Sequence, residues 1–330
     1  MTTDDQYRAL LERAGIGAVA ARHPLSVAGT DRASFLHGLL SNEVRTLGAG
    51  TGCYAAWLTA QGRMITDLHV FETGDRILLD VPAEIAAATL QRLDQSLFSE
   101  DVQLADPGLQ ITPVVIHGPQ AAAVIGTVIT SASGLAAWAE YANEAFPFGG
   151  STVRVARVTQ LGVPGFCIYV EHGAARELRD ALERAGAPAV GAEAIHAARI
   201  EAGYPVFGVD MTTDTIPLEA GIEDRAISFT KGCYVGQEVI VRVMHRGGGR
   251  VARRLMSLRF EDAPPEPGTK LLAGEREAGW VTSAARSPRS GAIGLGYVHR
   301  DSAVAGTRLA VASTGVAALV SERPVSPGGR

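Results

Sequence analysis

Three cysteines in 330 residues, Cys53, Cys167 and Cys233, are too few and too far apart for a disulfide framework, and none belongs to a CxxC pair. That usage suits a reducing compartment, so a cytoplasmic location is expected. Cations are also scarce. The 30 Lys and Arg against 35 Asp and Glu leave a formal net charge of −5, which disfavours a sequence-independent grip on nucleic acid, since that grip needs clustered cations to displace counterions. No apolar run reaches membrane-spanning length. The opening residues Met1, Thr2, Thr3, Asp4 and Asp5 lack the basic segment and apolar core of a secretory signal. Metal ligands at useful spacing are missing too: the nearest imidazole following Cys233 is His245, and one thiol with one distant histidine makes neither a zinc nor a cluster site.

What is present is a chain that is 46% hydrophobic, enough at this length for a substantial core and two or three domains. Thr30 stands where it can cap a helix whose apolar positions Phe35, Leu36, Leu39 and Leu40 share a face, with Asn42 near its end. Segments 76–81 and 114–117 read as short strands, each followed by proline and an alanine-rich helical stretch. Segments 153–158 and 166–170 read as a hairpin across Gly162, Pro164 and Gly165, leading into an amphipathic helix over 174–185. Hairpins mixed with crossover helices predict an α+β fold rather than a doubly wound parallel sheet. Beyond Arg246 the pattern changes. Gly247, Gly248 and Gly249 read as a joint, and they lack the spacing of a P-loop or dinucleotide fingerprint. Short strand patterns at 255–260, 280–282, 293–298 and 308–311, with helix excluded at Pro264, Pro265 and Pro267, predict a small β-barrel or sandwich. The expected division is 1–246, 247–322, and a tail over 323–330 that ends in Ser326, Pro327, Gly328, Gly329 and Arg330.

Candidate chemistry falls in three places. Lys231, Gly232, Cys233, Tyr234, Val235, Gly236, Gln237 and Glu238 combine a thiol, a nearby cation and two glycines; a reactive thiolate and an inert cysteine in a tight turn both fit. Segment 64–71 alternates, placing Ile65, Asp67, His69 and Phe71 on one strand face. Asp67 there can orient or protonate a ligand, or the face can be an ordinary solvated surface. A helix over 192–202 ends at Gly203, with Glu201 in its last turn against the dipole, at a cost of about 0.3–1 kcal/mol. Glu201 can accept parallel N–H donors from a pterin-like edge, with Tyr204 or Phe207 packing on the ring, or it can be satisfied by Arg199 and solvent. Lys231, Arg242, Arg246 and Arg250 either bind a carboxylate-bearing tail or form a solvated basic face.

Arg199, Ile200, Glu201, Ala202 and Gly203, then Gly208, Val209 and Asp210, then Ile216, Pro217, Leu218, Glu219, Ala220, Gly221 and Ile222 closely resemble the central signature of the aminomethyltransferase (glycine cleavage T-protein) superfamily. The block from Lys231 to Glu238 resembles the signature of its YgfZ-type folate-binding branch. Gly29, Thr30, Asp31, Phe35, Leu36, His37, Gly38 and Leu39 resemble the superfamily's N-terminal helix. Gly279, Trp280, Val281, Thr282 and Ser283, with Gly294, Leu295, Gly296 and Tyr297, resemble its C-terminal barrel. The resemblance implies mixed sheets in ferredoxin-like halves, two intertwined α+β subdomains, a small C-terminal β-barrel and a central folate cavity. It implies tetrahydrofolate or a one-carbon derivative as ligand, iron–sulfur client or assembly proteins as partners, and a role in assembling or repairing iron–sulfur enzymes. It also implies Glu201 at the pterin, Lys231 near the folate tail and Cys233 as the functional thiol. Asp67 resembles the acid that aminomethyltransferases place near the reactive folate nitrogens, which keeps open a folate-dependent one-carbon transferase or demethylase; a folate-binding regulator without chemistry is a third reading. The Gly-Trp-containing opening of the T-proteins is missing, which argues against service in a glycine cleavage complex. Three separated cysteines also cannot supply the thiolates of a cluster scaffold.

Overall fold

The computed structural model describes residues 1–246 and 249–324. Helix α1 (Thr3–Glu12) starts from a reciprocal capping box between Thr2 and Asp5. It is followed by β1 (Gly15–Ile16), β2 (Arg22–Ala28), α2 (Arg32–Leu39), β3 (Gly52–Leu58), β4 (Met64–Glu72), β5 (Arg76–Pro82), α3 (Ala86–Asp94) and β6 (Gln103–Ala105). Next come β7 (Ile111–His117), α4 (Ala121–Val128), β8 (Asn143–Phe148), β9 (Ser151–Arg157), β10 (Gly165–Glu171), α5 (Ala175–Arg184) and α6 (Ala192–Glu201). Short helices α7 (Pro217–Ala220) and α8 (Glu223–Ala226) and the longer α9 (Gln237–Arg246) precede the last strands. These are β11 (Arg253–Phe260), β12 (Lys270–Ala273), β13 (Arg276–Ser287), β14 (Gly291–His299), β15 (Arg308–Val311) and β16 (Ala317–Ser321).

The strands form two five-stranded sheets, ordered β1-β7-β10-β9-β8 and β3-β4-β5-β2-β6, and a closed barrel ordered β11-β14-β13-β12-β15-β16. Neighbouring strands run antiparallel, as the expected hairpin of β9 and β10 does. Period two decides which side chains go where. In β10, Phe166, Ile168 and Val170 pack outward against Ile125 of α4 and Leu178 and Leu182 of α5. In the other sheet Leu25, Val27, Leu68, Val70, Ile77 and Leu79 pack outward against Phe35 and Leu36 of α2 and Leu93 of α3. The opposite faces meet each other, and Tyr54, Phe71, Leu78, Cys167 and Tyr169 share one interlayer core. Both outer faces are covered by helices, so the alternating 64–71 segment is buried on both sides. Asp67 and His69 are 2% and 1% exposed, and a solvated strand surface is thereby ruled out.

Two local expectations come out differently. Thr30 does not cap α2; its hydroxyl donates to Asp101 at 2.8 Å, and Asp31 occupies the cap position without a side-chain bond. Arg323, expected in a tail, donates instead to the carbonyls of Gly203 (3.2 Å) and Gly221 (2.7 Å). Gly247 and Gly248 of the expected joint, and residues 325–330 of the expected tail, lie outside the described residues.

Lys231 organises the end of α2. Its ammonium donates to the carbonyls of His37 (2.6 Å), Leu40 (2.6 Å) and Asn42 (3.0 Å), where the helix leaves carbonyls without intrahelical partners. Burial draws its pKa down to about 8, so it stays charged at neutral pH. His117, on the inner face of β7, is fully buried, and neither ring nitrogen has a partner among the described residues. The backbone of β10 presses against it: a Cβ on Gly165 would stand 2.7 Å from His117 Nδ1 and 2.4 Å from the Val158 carbonyl, so this position requires glycine.

Two outcomes follow from these packings. Lys231→Met removes three charge-assisted bonds and should cost roughly 3 kcal/mol, read as a lowered urea midpoint, whereas the exposed Arg242→Ala should stay within about 0.5 kcal/mol of the parent. Burial lowers the His117 pKa to about 4. The unfolded chain therefore binds this proton first, and stability falls as pH drops below the unfolded value near 6.5. His117 should remove roughly 2 kcal/mol of stability between pH 7 and pH 5, and His117→Leu should flatten that slope in urea titrations; an unchanged slope would place the acid sensitivity elsewhere.

Candidate functional site

Charged residues are concentrated where the two sheets face each other. Strand β2 begins with Arg22, whose guanidinium reaches across to β4 and β5. Its Nη1 donates to Asp67 Oδ1 at 3.0 Å, its Nε to Asp80 Oδ2 at 3.3 Å, and its Nη2 to the Asp80 carbonyl. The other oxygen of Asp67 accepts from the Tyr54 hydroxyl of β3 at 2.8 Å. His69 Nδ1 lies 3.0 Å from Asp80 Oδ2, and its ring is tilted over Tyr54 (5.5 Å between centroids) and stacked on Tyr141 (5.9 Å). Three buried polar atoms in this layer have no partner among the described residues: His69 Nε2, Asp80 Oδ1 and the Tyr169 hydroxyl.

A cavity of ≈ 190 Å³ opens beside them. Its lining includes the polar residues Arg22, His69, Asp80, Gln160 and Cys167 and the apolar residues Ala18, Ala20, Ala21, Pro113 and Val115. A smaller space of ≈ 20 Å³ lies next to it, sharing Ala20, Arg22 and Gln160 and adding Asp67, Tyr204 and Phe207. Electrostatics fix the protonation states. Burial would raise the Asp80 carboxyl, but Arg22 and His69 overcome it and hold its pKa below the usual value. Burial lowers the His69 pKa, helped by the Arg22 charge, so the imidazole is neutral at pH 7. Burial would lower Arg22 as well, yet Asp67 and Asp80 outweigh it and the guanidinium is held charged.

Tyr204 reaches the cleft because α6 ends in a Schellman turn. Gly203, at φ +66°, donates to the Ile200 carbonyl (3.0 Å), and Tyr204 donates to the Arg199 carbonyl (2.9 Å). Arg225 of α8 lies between aromatic rings, 4.9 Å from the Tyr54 centroid and 4.7 Å from that of Tyr204. The sequence reading missed Arg22, Asp80 and Arg225. For Asp80 a signal existed, a lone carboxylate inside the apolar run Ile77, Leu78, Leu79, Asp80, Val81, since such a charge is rarely buried without a partner.

Of the residues singled out from sequence, the structure brings Asp67 and Tyr204 together and leaves four elsewhere. Glu201 does not enter this cleft: it accepts from the Tyr7 hydroxyl, from Ser287 Oγ (2.6 Å) and from Arg289 (3.2 Å), at the junction of α1, α6 and β13. Neither Arg199 nor a free edge is involved, because Arg199 is committed to Asp210 (2.8 Å) and Ser283 (2.7 Å). Lys231 is consumed by its three carbonyls. Arg242 is exposed on α9, and Cys233 is exposed in the preceding loop. Among the described residues no cluster of His, Cys, Asp and Glu could hold a metal ion.

Comparison with known proteins gives a consistent picture. Residues 2–231 match the GCVT N-terminal domain, and residues 253–326 match the glycine cleavage T-protein C-terminal barrel domain. An aminomethyltransferase of Rubrobacter xylanophilus is 28% identical over 97% of this chain and 82% of its own length. A chloroplastic Arabidopsis thaliana protein, provisionally named a transferase, is 29% identical over 91% of this chain and 68% of its own length. The crystal structure of the aminomethyltransferase T of the Bartonella henselae glycine cleavage system superposes with a TM-score of 0.86 at 23% identity, covering 98% of this chain and 89% of that one, and so shares the fold. The chain belongs to the glycine cleavage T-protein (GCVT) family.

Proposed function

We propose that the cleft between the two sheets binds tetrahydrofolate or a one-carbon derivative, and that the chain is a folate-dependent one-carbon transferase. The observation that carries this is the buried Asp67 side chain, held by Arg22 and Tyr54 beside a cavity lined by His69 and Asp80, whose Nε2 and Oδ1 have no hydrogen-bond partner among the described residues. Names of relatives as aminomethyltransferases support it. The lining fits a ring head with polar edges: Arg22, His69, Asp80 and Gln160 supply polar groups, and Ala18, Ala20, Ala21, Pro113 and Val115 supply apolar contact. At ≈ 190 Å³ the cavity is smaller than the roughly 300–1,000 Å³ usual for a whole ligand, so it suits the head of the molecule and not its tail. Tetrahydrofolate, when bound, supplies ring nitrogens that accept a one-carbon unit. Asp67 holds a negative charge where positive charge develops on the transferred group, Tyr204 offers a ring face, and the buried walls exclude water. Among the described residues no helix is long and apolar enough to cross a membrane, and a cytoplasmic site of action is part of this proposal.

A second reading, a YgfZ-type accessory role in iron–sulfur enzyme assembly with Cys233 as the functional thiol, is favoured by one observation. Cys233 is exposed while its neighbours are fixed. Lys231 is anchored by three carbonyls, Tyr234 is 7% exposed, and Gly236 (φ +86°) packs so that a Cβ would lie 2.5 Å from the Thr59 carbonyl. The loop therefore presents a thiol from a rigid base.

Calorimetric titration with tetrahydrofolate should show binding by the parent chain and about tenfold weaker binding by Tyr204→Ala, a loss of about 1.4 kcal/mol. Asp67→Asn should retain binding and lose one-carbon transfer from amine donors; no binding by the parent would sink the folate reading altogether. Cys233→Ala should leave that transfer unchanged. If it instead abolishes rescue of iron–sulfur enzyme activity in cells lacking this protein, with folding and folate binding intact, the accessory role is the correct one.

A further inference from the structure

Two carbonyls behind the cleft are claimed by a single side chain. Arg323, which follows β16, donates from Nη1 to the Gly203 carbonyl at 3.2 Å and from Nη2 to the Gly221 carbonyl at 2.7 Å. A guanidinium is a planar fork with donors at fixed spacing, so it holds two acceptors in one relative position. Both acceptors end helices: Gly203 follows α6 and Gly221 follows α7, each in the left-handed region at φ +66° and +60°. Both also leave room for the clasp. A Cβ on Gly203 would stand 3.0 Å from Pro324 Cδ, and one on Gly221 would collide with Arg323 Nη2.

Beyond each carbonyl lies part of the cleft wall. The Gly203 carbonyl and the Tyr204 amide belong to one peptide plane, whose N–H donates to the Arg199 carbonyl at 2.9 Å while Arg323 holds its oxygen. The Gly221 carbonyl shares a plane with the Ile222 amide, which donates to the Pro217 carbonyl at 3.2 Å; the Ile222 carbonyl in turn accepts from the amides of Arg225 (3.1 Å) and Ala226 (2.8 Å). Each plane is pinned on both sides. The two segments then meet, with the Arg225 guanidinium 4.7 Å from the Tyr204 ring centroid and 4.9 Å from that of Tyr54. Tyr204 is 5% exposed and lines the smaller space together with Arg22 and Asp67, and the Tyr54 hydroxyl donates to Asp67. Cation–π attraction needs the cation within about 6 Å of the centroid, so a displacement of roughly 1 Å uses up the margin. Arg323 itself stays charged at neutral pH, although burial and the Arg225 charge lower its pKa to about 10.

We propose that Arg323 is a positioning residue of the cleft: its clasp on Gly203 and Gly221 sets Tyr204 against Arg225, and with it the aromatic wall offered to the ring head of the ligand. This rests on the folate reading and adds the element that shapes its ring subsite. Arg323 touches neither ligand nor reacting atoms and acts through Tyr204.

The test uses the full-length chain and Arg323→Met, which keeps a long apolar stem and removes the fork. With tyrosines replaced by fluorotyrosine, and Tyr54 and Tyr204 assigned through their Phe variants, fluorine spectra without ligand should show both resonances displaced in Arg323→Met and that of Tyr169 on β10 unmoved. Calorimetric titration should give about tenfold weaker tetrahydrofolate binding, the loss expected of Tyr204→Ala. The double variant should bind no more weakly than Tyr204→Ala alone, since residues that act through one contact are not additive. In transfer assays the KM for tetrahydrofolate should rise about tenfold at preserved kcat, whereas a merely structural loss of active protein lowers kcat and leaves KM. Unmoved Tyr54 and Tyr204 resonances overturn the proposal, as do additive losses in the double variant. Failure of the folate reading shows separately, as absence of tetrahydrofolate binding by the parent, and the ligand-free fluorine spectra then decide alone whether the clasp sets the wall.

Discussion

A guanidinium buried between two carboxylates fixes the inner layer of this protein. Arg22 bonds Asp67 and Asp80 on two neighbouring strands, and each of the three charges is tolerable only because the others are there. Removing one member of such a cluster costs on the order of 3–5 kcal/mol, since it leaves an uncompensated charge in a poorly solvated place. The fold can hold this cluster because stabilisation comes from elsewhere: the outward faces of both sheets are apolar and covered by helices. The inner faces, which pack on each other through Tyr54, Phe71, Leu78 and Tyr169, can therefore give up part of their area to polar groups. They hold space, fixed charge and polar atoms without partners among the described residues.

The barrel anchors a second buried ion pair through its hydroxyls. Arg199 of α6 and Asp210 are both buried, and Asp210 accepts from the Thr282 and Ser283 hydroxyls of β13 at 2.6 Å each and from the Val206 amide at 3.0 Å. Four bonds on one carboxylate lock the chain after α6 against the barrel wall. That segment begins with Gly203 and Tyr204, so the position of an aromatic wall of the cleft is set by contacts on the far side of the helix. Glu201 belongs to the same junction.

Local pattern made much of this legible. Period two in 64–71 put Asp67 and His69 on one face, the hairpin of β9 and β10 followed from two strand patterns around Gly162 and Pro164, and the strand signals beyond residue 250 formed a closed barrel. What stayed hidden depends on long-range pairing. Arg22 and Asp67 are 45 residues apart in sequence, and nothing local says that β2 lies beside β5. Glu201 shows the same limit from the other side: its motif is correct for a helix end, but its partner Tyr7 lies 194 residues away. Lys231 reads as a ligand cation until α2 is in place, when three carbonyls claim it.

Burial also sorts the three thiols, and with them the two functional readings. Cys167 lines the cavity, but burial holds it protonated, and burial pushes Cys53 up to about 12. A thiol is a poor nucleophile until it ionises, so chemistry inside the cleft belongs to nitrogen and oxygen groups. Cys233 is exposed, in a loop whose base is fastened to α2 through Lys231. Transfer chemistry in the interlayer and thiol work at the surface therefore use different atoms on different elements. A substitution in one need not disturb the other, which makes a folate-dependent transfer and a thiol-dependent accessory role separable by single changes in one protein.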